Sequence, residues 1–134
     1  MKRLVVLLGV LAIAGCGAEA DPSSVEKFQG EQRAVAQKVE DLQEAGEGSK
    51  PEDICADILA RSLVTQIEAA GLSCTDEMEK AIDDAEDFAL DVEKVSVSGS
   101  TATATVKQGD DGPTQTMEFT KENGQWRATS LSGS

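Results

Sequence analysis

The stretch VSVSGSTATATV, residues 95–106, decides the fold of this 134-residue chain, because the hydrophobic period changes close to where it begins. Before Asp91 apolar residues recur at every third or fourth position, as in a helix; after it they recur at every second position, as in a strand. A Ser-Gly turn divides the stretch into two predicted strands. Their inward faces carry Val95, Val97, Ala102, Ala104 and Val106.

Two more strands are predicted downstream. GDDGP, residues 109–113, indicates a loop, and TQTMEFTK, residues 114–121, alternates Met117 and Phe119 with polar residues. Asn123-Gly124 is a strong signal for a two-residue hairpin, and it leads into QWRATSL, residues 125–131. The C-terminal part of the chain is therefore predicted to form a four-stranded antiparallel meander.

Three helical segments are predicted before the sheet. The first, residues 25–45, opens with a Ser-x-x-Glu capping pattern, the second begins at SKPE, residues 49–52, and the third covers residues 73–89. Their apolar stripes are Phe28, Val35, Val39 and Leu42; Ile54, Ile58, Leu59, Leu63 and Ile67; and Met78, Ala81, Ile82, Ala85 and Phe88. The predicted fold class is α+β, with N-terminal helices packed on one face of the sheet.

The N-terminus has the pattern of an export signal. A basic start is followed by an apolar run over residues 4–14, about half of the ~20 residues that span a bilayer. Ile13-Ala14-Gly15-Cys16 resembles the lipobox of bacterial lipoprotein signal peptides. The resemblance implies cleavage before Cys16 and a diacylglycerol on its sulfur, with acyl chains of the palmitate type.

This interpretation divides the chain into a signal peptide (residues 1–15), a lipidated cysteine with a flexible tether (residues 16–24) and an α+β domain (residues 25–134). Two or three acyl chains on one residue hold a protein stably at a membrane. The expected location is therefore the extracytoplasmic face of the cell membrane, with the lipid on Cys16 as the anchor.

The chain is strongly acidic. Removal of Lys2 and Arg3 with the signal peptide would leave 10 basic and 25 acidic residues, a net charge of −15. Nucleic acid is excluded as a partner because phosphate binding requires a concentrated basic surface. Carboxylates crowd residues 75–93, but they lack the spacing and glycine of a calcium loop, so a solvated face and no metal site are predicted.

The order of elements, ENGQWR at residues 122–127 and the two remaining cysteines resemble the small NTF2-like lipoproteins of Gram-positive actinobacteria. The resemblance implies a cystatin-like cone in which a curved antiparallel sheet wraps the helices. That superfamily contains isomerases, dehydratases and many non-catalytic binding proteins, so the likeness bears on fold more than on function.

Cys55 and Cys74 are the only cysteines left after Cys16, and disulfides persist outside the cytoplasm. A disulfide is predicted; the alternative is two buried free thiols. An unbroken helix over residues 52–70 would carry its far end more than about 20 Å from Cys55, too far for a bridge. The bridge therefore predicts a helix break near residues 61–63, with Ser62 as the new N-cap.

The chain has few groups suited to catalysis. It contains no histidine and no tyrosine, and its carboxylates fall in polar or surface patterns, with Glu118 on the outward register of its strand. No catalytic residue and no cofactor are predicted. Five large apolar residues are candidates either for the core or for a ligand pocket: Phe28, Phe88, Met117, Phe119 and Trp126.

Two function classes remain open on the sequence. The first is a non-catalytic envelope lipoprotein whose acidic domain binds a protein partner or a small apolar ligand. The second is an NTF2-like enzyme of the isomerase or dehydratase type with a buried carboxylate base. An inward-pointing Asp or Glu in a deep cavity would favour the enzyme, and a filled cone would favour surface contact with a protein.

Overall fold

The computed structural model describes residues 24–131, in which all helices precede the sheet. A 3₁₀ turn, Ser24–Lys27, leads into α1, Gly30–Glu47, and then into α2, Pro51–Asp53, which continues as a π-helical turn, Ile54–Ile58. The remaining elements are α3, Arg61–Ala69; α4, Cys74–Asp84; β1, Leu90–Ser98; β2, Thr101–Gln108; β3, Thr114–Glu122; and β4, Gln125–Ala128. The predicted α+β class is confirmed.

The sheet is the predicted antiparallel meander, in the order β1-β2-β3-β4. Ser98 pairs with Thr101 around a two-residue turn whose first residue, Gly99, has φ 60°, as a type II′ turn requires. Asn123 and Gly124 have φ 51° and 79°, the two positive values of a type I′ turn. Both hairpins therefore lie where the sequence predicts them.

One face of the sheet carries the core. Val97, Ala102, Phe119 and Ala128 form one cross-strand row, and Val95, Ala104 and Met117 form the next. Val35, Ala36 and Val39 of α1 belong to the same buried cluster. The opposite face carries serine and threonine side chains, so the sheet has the period-2 pattern of a half-buried antiparallel sheet.

The predicted first helix, residues 25–45, is wrong at its start. The backbone amide of Phe28 donates to the carbonyl of Val25, which closes the 3₁₀ turn, and Gln29 is extended. Gly30 then has φ 61°, a conformation that interrupts a helix and that glycine adopts without strain. Val25 is buried, so the turn places it in the core although it lies outside the helix.

The break in the second helical region is confirmed, but its place and its cap are corrected. The backbone is extended at Leu59 and Ala60, and Ala60, not Ser62, is the N-cap of α3. The amide of Ala60 donates to the carbonyl of Ala128 at 2.8 Å, and Leu59 forms a parallel bridge with the same residue. Pairing with β4 therefore sets the position of the break, and local capping chemistry does not.

The third helix is shorter than predicted. It ends at Asp84, and Ala85 is extended with ψ 127°. Phe88 therefore leaves the helical stripe and packs on α1, where a Cβ added to Gly46 would lie 2.5 Å from Cδ1 of Phe88. A glycine on α1 makes room for an aromatic ring that the periodicity had assigned to α4.

Candidate functional site

The predicted set of pocket or core residues divides into two groups. Met117, Phe119 and Trp126 are only 3%, 2% and 2% exposed and belong to the single core cluster. Phe28 is half-buried against that cluster, with Nζ of Lys27 5.4 Å from its ring centroid. Met117, Phe119 and Trp126 are therefore core residues, and Phe28 packs against the edge of the core.

Phe88 is the one member that borders an apolar cleft. The cleft has a volume of about 140 Å³ and lies among α1, the π-helical turn, α4 and the start of β1. Its apolar lining includes Leu42, Ile54, Met78, Ile82, Phe88 and Leu131. A space of this size suits a small ring or a single apolar side chain.

Glu31, an exposed residue in the first turn of α1, accepts a hydrogen bond from the buried Trp126. The indole Nε1 of Trp126 donates to Oε2 of Glu31 at 2.6 Å, and Nζ of Lys121 donates to Oε1 at 2.8 Å. The same Nζ lies 5.7 Å from the centroid of the Trp126 ring. The first turn of α1 is thus joined to the β3–β4 hairpin by one carboxylate.

Glu31 is not among the residues that the sequence pattern predicts for a site. Nothing in the sequence marks this residue among the acidic residues, since its partners lie 90 and 95 positions away. Hydrogen bonds from Lys121 and then from Trp126 lower the pKa of the Glu31 carboxyl below its ordinary value. Both bonds favour the ionised form.

Glu31→Gln is expected to remove a pH-dependent contribution to stability. Because the folded pKa is lowered, this contribution is complete above the ordinary glutamate pKa and is lost as pH falls through the lowered value. Acid titration of emission from Trp126, the only tryptophan, should show a transition in that window in the wild type and none in Glu31→Gln. Glu44→Gln, at an exposed glutamate of α1, is the control and should titrate like the wild type. Identical titrations of all three proteins would contradict the assignment.

The outer face of the sheet forms a shallow hydroxyl-lined surface. A depression of about 490 Å³ lies over β1, β2 and β3, with Ser96, Ser98, Thr101, Thr103, Glu118 and Thr120 around it. Glu118 is exposed there, as its predicted outward register requires. This carboxylate therefore faces solvent and not the interior.

Two surface pockets flank the ends of the sheet. One, of about 570 Å³, lies between the β2–β3 loop and the segment after α4 and includes Asp84, Glu86, Asp87, Asp110 and Asp111. Within residues 24–131 no group of three or more potential ligands is placed to hold a metal ion. The other, of about 280 Å³, lies beside the β3–β4 hairpin and includes Cys55, Arg61, Glu122 and Arg127.

Cys55 and Cys74 are joined, with Cα atoms 6.1 Å apart. The predicted disulfide is therefore present, and the helix break brings its two ends together. Cys16, the predicted lipidation site, lies outside the described residues, as do the predicted signal peptide and most of the tether.

No carboxylate of the described chain is enclosed by the fold. Among residues 25–131, the part of the chain for which burial is described, no buried residue is polar or charged. None of the helices within residues 24–131 is long and apolar enough to cross a membrane. Comparisons of the chain with protein families, with curated proteins and with solved structures found no match.

Proposed function

We propose that this chain is a lipid-anchored lipoprotein of the cell envelope whose small acidic domain is non-catalytic and binds a protein partner through its surface. The observation that carries the proposal is the filled interior. Met117, Phe119 and Trp126 are buried in the core, whereas an enzyme of the NTF2-like type would need an open cavity inside its cone. With these side chains in the core, surface contact is the binding mode that the proposal favours.

The alternative, an NTF2-like enzyme with a buried carboxylate base, has less support. A general base with a raised pKa needs burial or a like-charged neighbour in a closed site. All carboxylates within residues 24–131 are at least partly exposed, and the Glu31 pKa is moved in the opposite direction. The resemblance to NTF2-like lipoproteins rests on three features of the sequence alone: ENGQWR, the element order and the cysteine pair.

The expected partner is basic. The chain carries 25 acidic and 12 basic residues, and such an imbalance attracts positively charged surfaces over roughly the Debye length of 8 Å at physiological salt. A pull-down from membranes with the lipidated protein should retain a partner that is released as salt is raised. The form that starts after Cys16 is the matched control for membrane localisation. Recovery of no protein with either form would contradict the proposal.

A small apolar ligand remains a second candidate, and the cleft beside Phe88 favours it. Ala81→Phe would fill the cleft from its rim, since Ala81 lines it. We expect this variant to lose binding of an apolar fluorescent probe such as anilinonaphthalene sulfonate. Ala69→Phe, at an exposed position on α3, is the control and should bind as the wild type does. Equal probe binding by both variants would show that the cleft is not the binding site of the probe.

Cys16→Ser is expected to abolish stable membrane association. The variant lacks the thiol that the lipobox interpretation assigns to diacylglycerol, and each buried acyl methylene contributes about 0.8 kcal/mol to anchoring. Metabolic labelling with a fatty-acid analogue, followed by membrane fractionation, should mark the wild type and leave the variant unlabelled. A labelled variant would show that the lipid is attached elsewhere.

A further inference from the structure

The two half-cystines of the bridge differ in their exposure to solvent. Cys74 is buried, at 6% exposure, in the first turn of α4. Cys55 is partly exposed on the π-helical turn, and of the two half-cystines it is the one that lines the 280 Å³ pocket beside the β3–β4 hairpin. The pocket therefore borders the Cys55 end of the bridge. Turns of π-helix are rare and frequently occur at functional sites.

Two arginines make this pocket more basic than its surroundings. Nη1 of Arg127 donates to the carbonyl of Ala56 at 2.6 Å, which places its guanidinium next to the residue that follows Cys55. Arg61 also lines the pocket. The one carboxylate there, Glu122, accepts hydrogen bonds from the backbone amide of Arg61 at 3.0 and 3.2 Å. The pocket therefore attracts an incoming anion in a chain that is otherwise strongly acidic.

Cys74, at the other end of the bridge, is suited to be the leaving group when a thiolate attacks Cys55. Cys74 is the first residue of α4, directly after the N-cap Ser73, whose side chain accepts from the amide of Asp76. Backbone amides at a helix N-terminus stabilise a thiolate, and a thiol of lower pKa leaves faster in disulfide exchange. Asp76 and Glu77 in the same turn oppose this effect. The N-terminus of α4 thus favours Cys74 as the leaving group, and the pocket at Cys55 makes Cys55 the sulfur that is attacked.

We propose that Sγ of Cys55 is a thiol-exchange site for an exported protein dithiol. A thiolate of the dithiol attacks Sγ of Cys55, forming a mixed disulfide, while the bond to Cys74 breaks and Cys74 leaves as a thiolate. The second thiolate of the dithiol then attacks the sulfur of its own chain in the mixed disulfide and releases Cys55 as a thiolate. The dithiol is oxidised to a disulfide, the bridge is reduced by two electrons, and both cysteines take protons from water.

Reduction of the bridge between Cys55 and Cys74 would loosen the walls of the cleft beside Phe88. Ile54 precedes Cys55, Met78 lies one helical turn after Cys74, and both line that cleft. The bridge therefore joins two walls of one apolar space, and opening the bridge releases one wall from the other.

The test uses the full exported chain and, as a probe, a thioredoxin whose second active-site cysteine is replaced by serine, so that the mixed disulfide is trapped. Peptide mass spectrometry should find the probe on Cys55 in at least about tenfold excess over Cys74, in the absence of denaturant. Arg61→Gln should slow trapping by about 3-fold at low salt, the effect of removing one nearby charge in water. Arg61→Lys should restore the rate, and Arg33→Gln, at an exposed arginine of α1, should leave it unchanged.

Three results would overturn the proposal. They are trapping mainly on Cys74, trapping only at denaturant concentrations that unfold the protein, and equal slowing by Arg61→Gln and Arg33→Gln. Circular dichroism of each variant, recorded before the reaction, separates a charge effect from a folding defect. None of these outcomes depends on lipidation or on the basic partner proposed for the acidic surface.

Discussion

Trp126→Ala is expected to lower the free energy of unfolding by about 3–5 kcal/mol, the usual cost of truncating a buried tryptophan. Trp126 is 2% exposed and shares the core face of β4 with Ala128, which pairs with Phe119. The substitution removes the indole from this face and leaves a cavity. It also removes the N–H that bonds Oε2 of Glu31 at 2.6 Å.

Urea denaturation followed by far-UV circular dichroism would measure this loss without relying on tryptophan emission. Trp126→Phe is the matched control, because it keeps an aromatic ring while removing the N–H donor and part of the ring volume. It should cost less than Trp126→Ala, since it loses the hydrogen bond to Glu31 but leaves a smaller cavity. An unchanged denaturation midpoint for Trp126→Ala would show that the residue does not join sheet to helices.

Replacing both Cys55 and Cys74 with alanine should lower the free energy of unfolding by roughly 3 kcal/mol, through the entropy gained by the unfolded chain. The bridge closes a loop between residues 19 positions apart. It also connects the π-helical turn to α4, two elements that are separated along the chain by the helix break and α3. Small domains have total stabilities of about 5–15 kcal/mol, so the loss would be a large fraction of the whole.

Thermal and urea denaturation of the double variant should coincide with those of the wild type kept in a reductant. Peptide mass spectrometry under non-reducing conditions should find the two cysteine peptides joined in the wild type. If both thiols alkylate without reduction, or if the double variant unfolds at the wild-type midpoint, the bridge does not stabilise the domain. A double variant that is much weaker than the reduced wild type would instead indicate a packing defect at the alanines.

The sequence alone determined the sheet. The switch to a two-residue period near Asp91 placed β1 and β2, and Gly99 and Asn123-Gly124 marked turns whose positive φ angles the structure contains. These features are local, since side-chain alternation and backbone freedom depend on neighbouring residues. The requirement that a helix break before a Cys55–Cys74 bridge could form was likewise a matter of chain geometry, and it was confirmed.

The ends of the helices and the environment of Trp126 were decided only by the tertiary structure. Val25 is buried by the 3₁₀ turn before α1. Pairing with Ala128 sets the helix break at Leu59 and Ala60. The ring of Phe88 packs against Gly46 of α1. Glu31 accepts a hydrogen bond from Trp126, which lies 95 positions away in the sequence. At Val25 and Leu59, which are 3% and 1% exposed, burial of an apolar side chain contributes about 1.5–3 kcal/mol and outweighs a local helix preference worth about 1 kcal/mol or less.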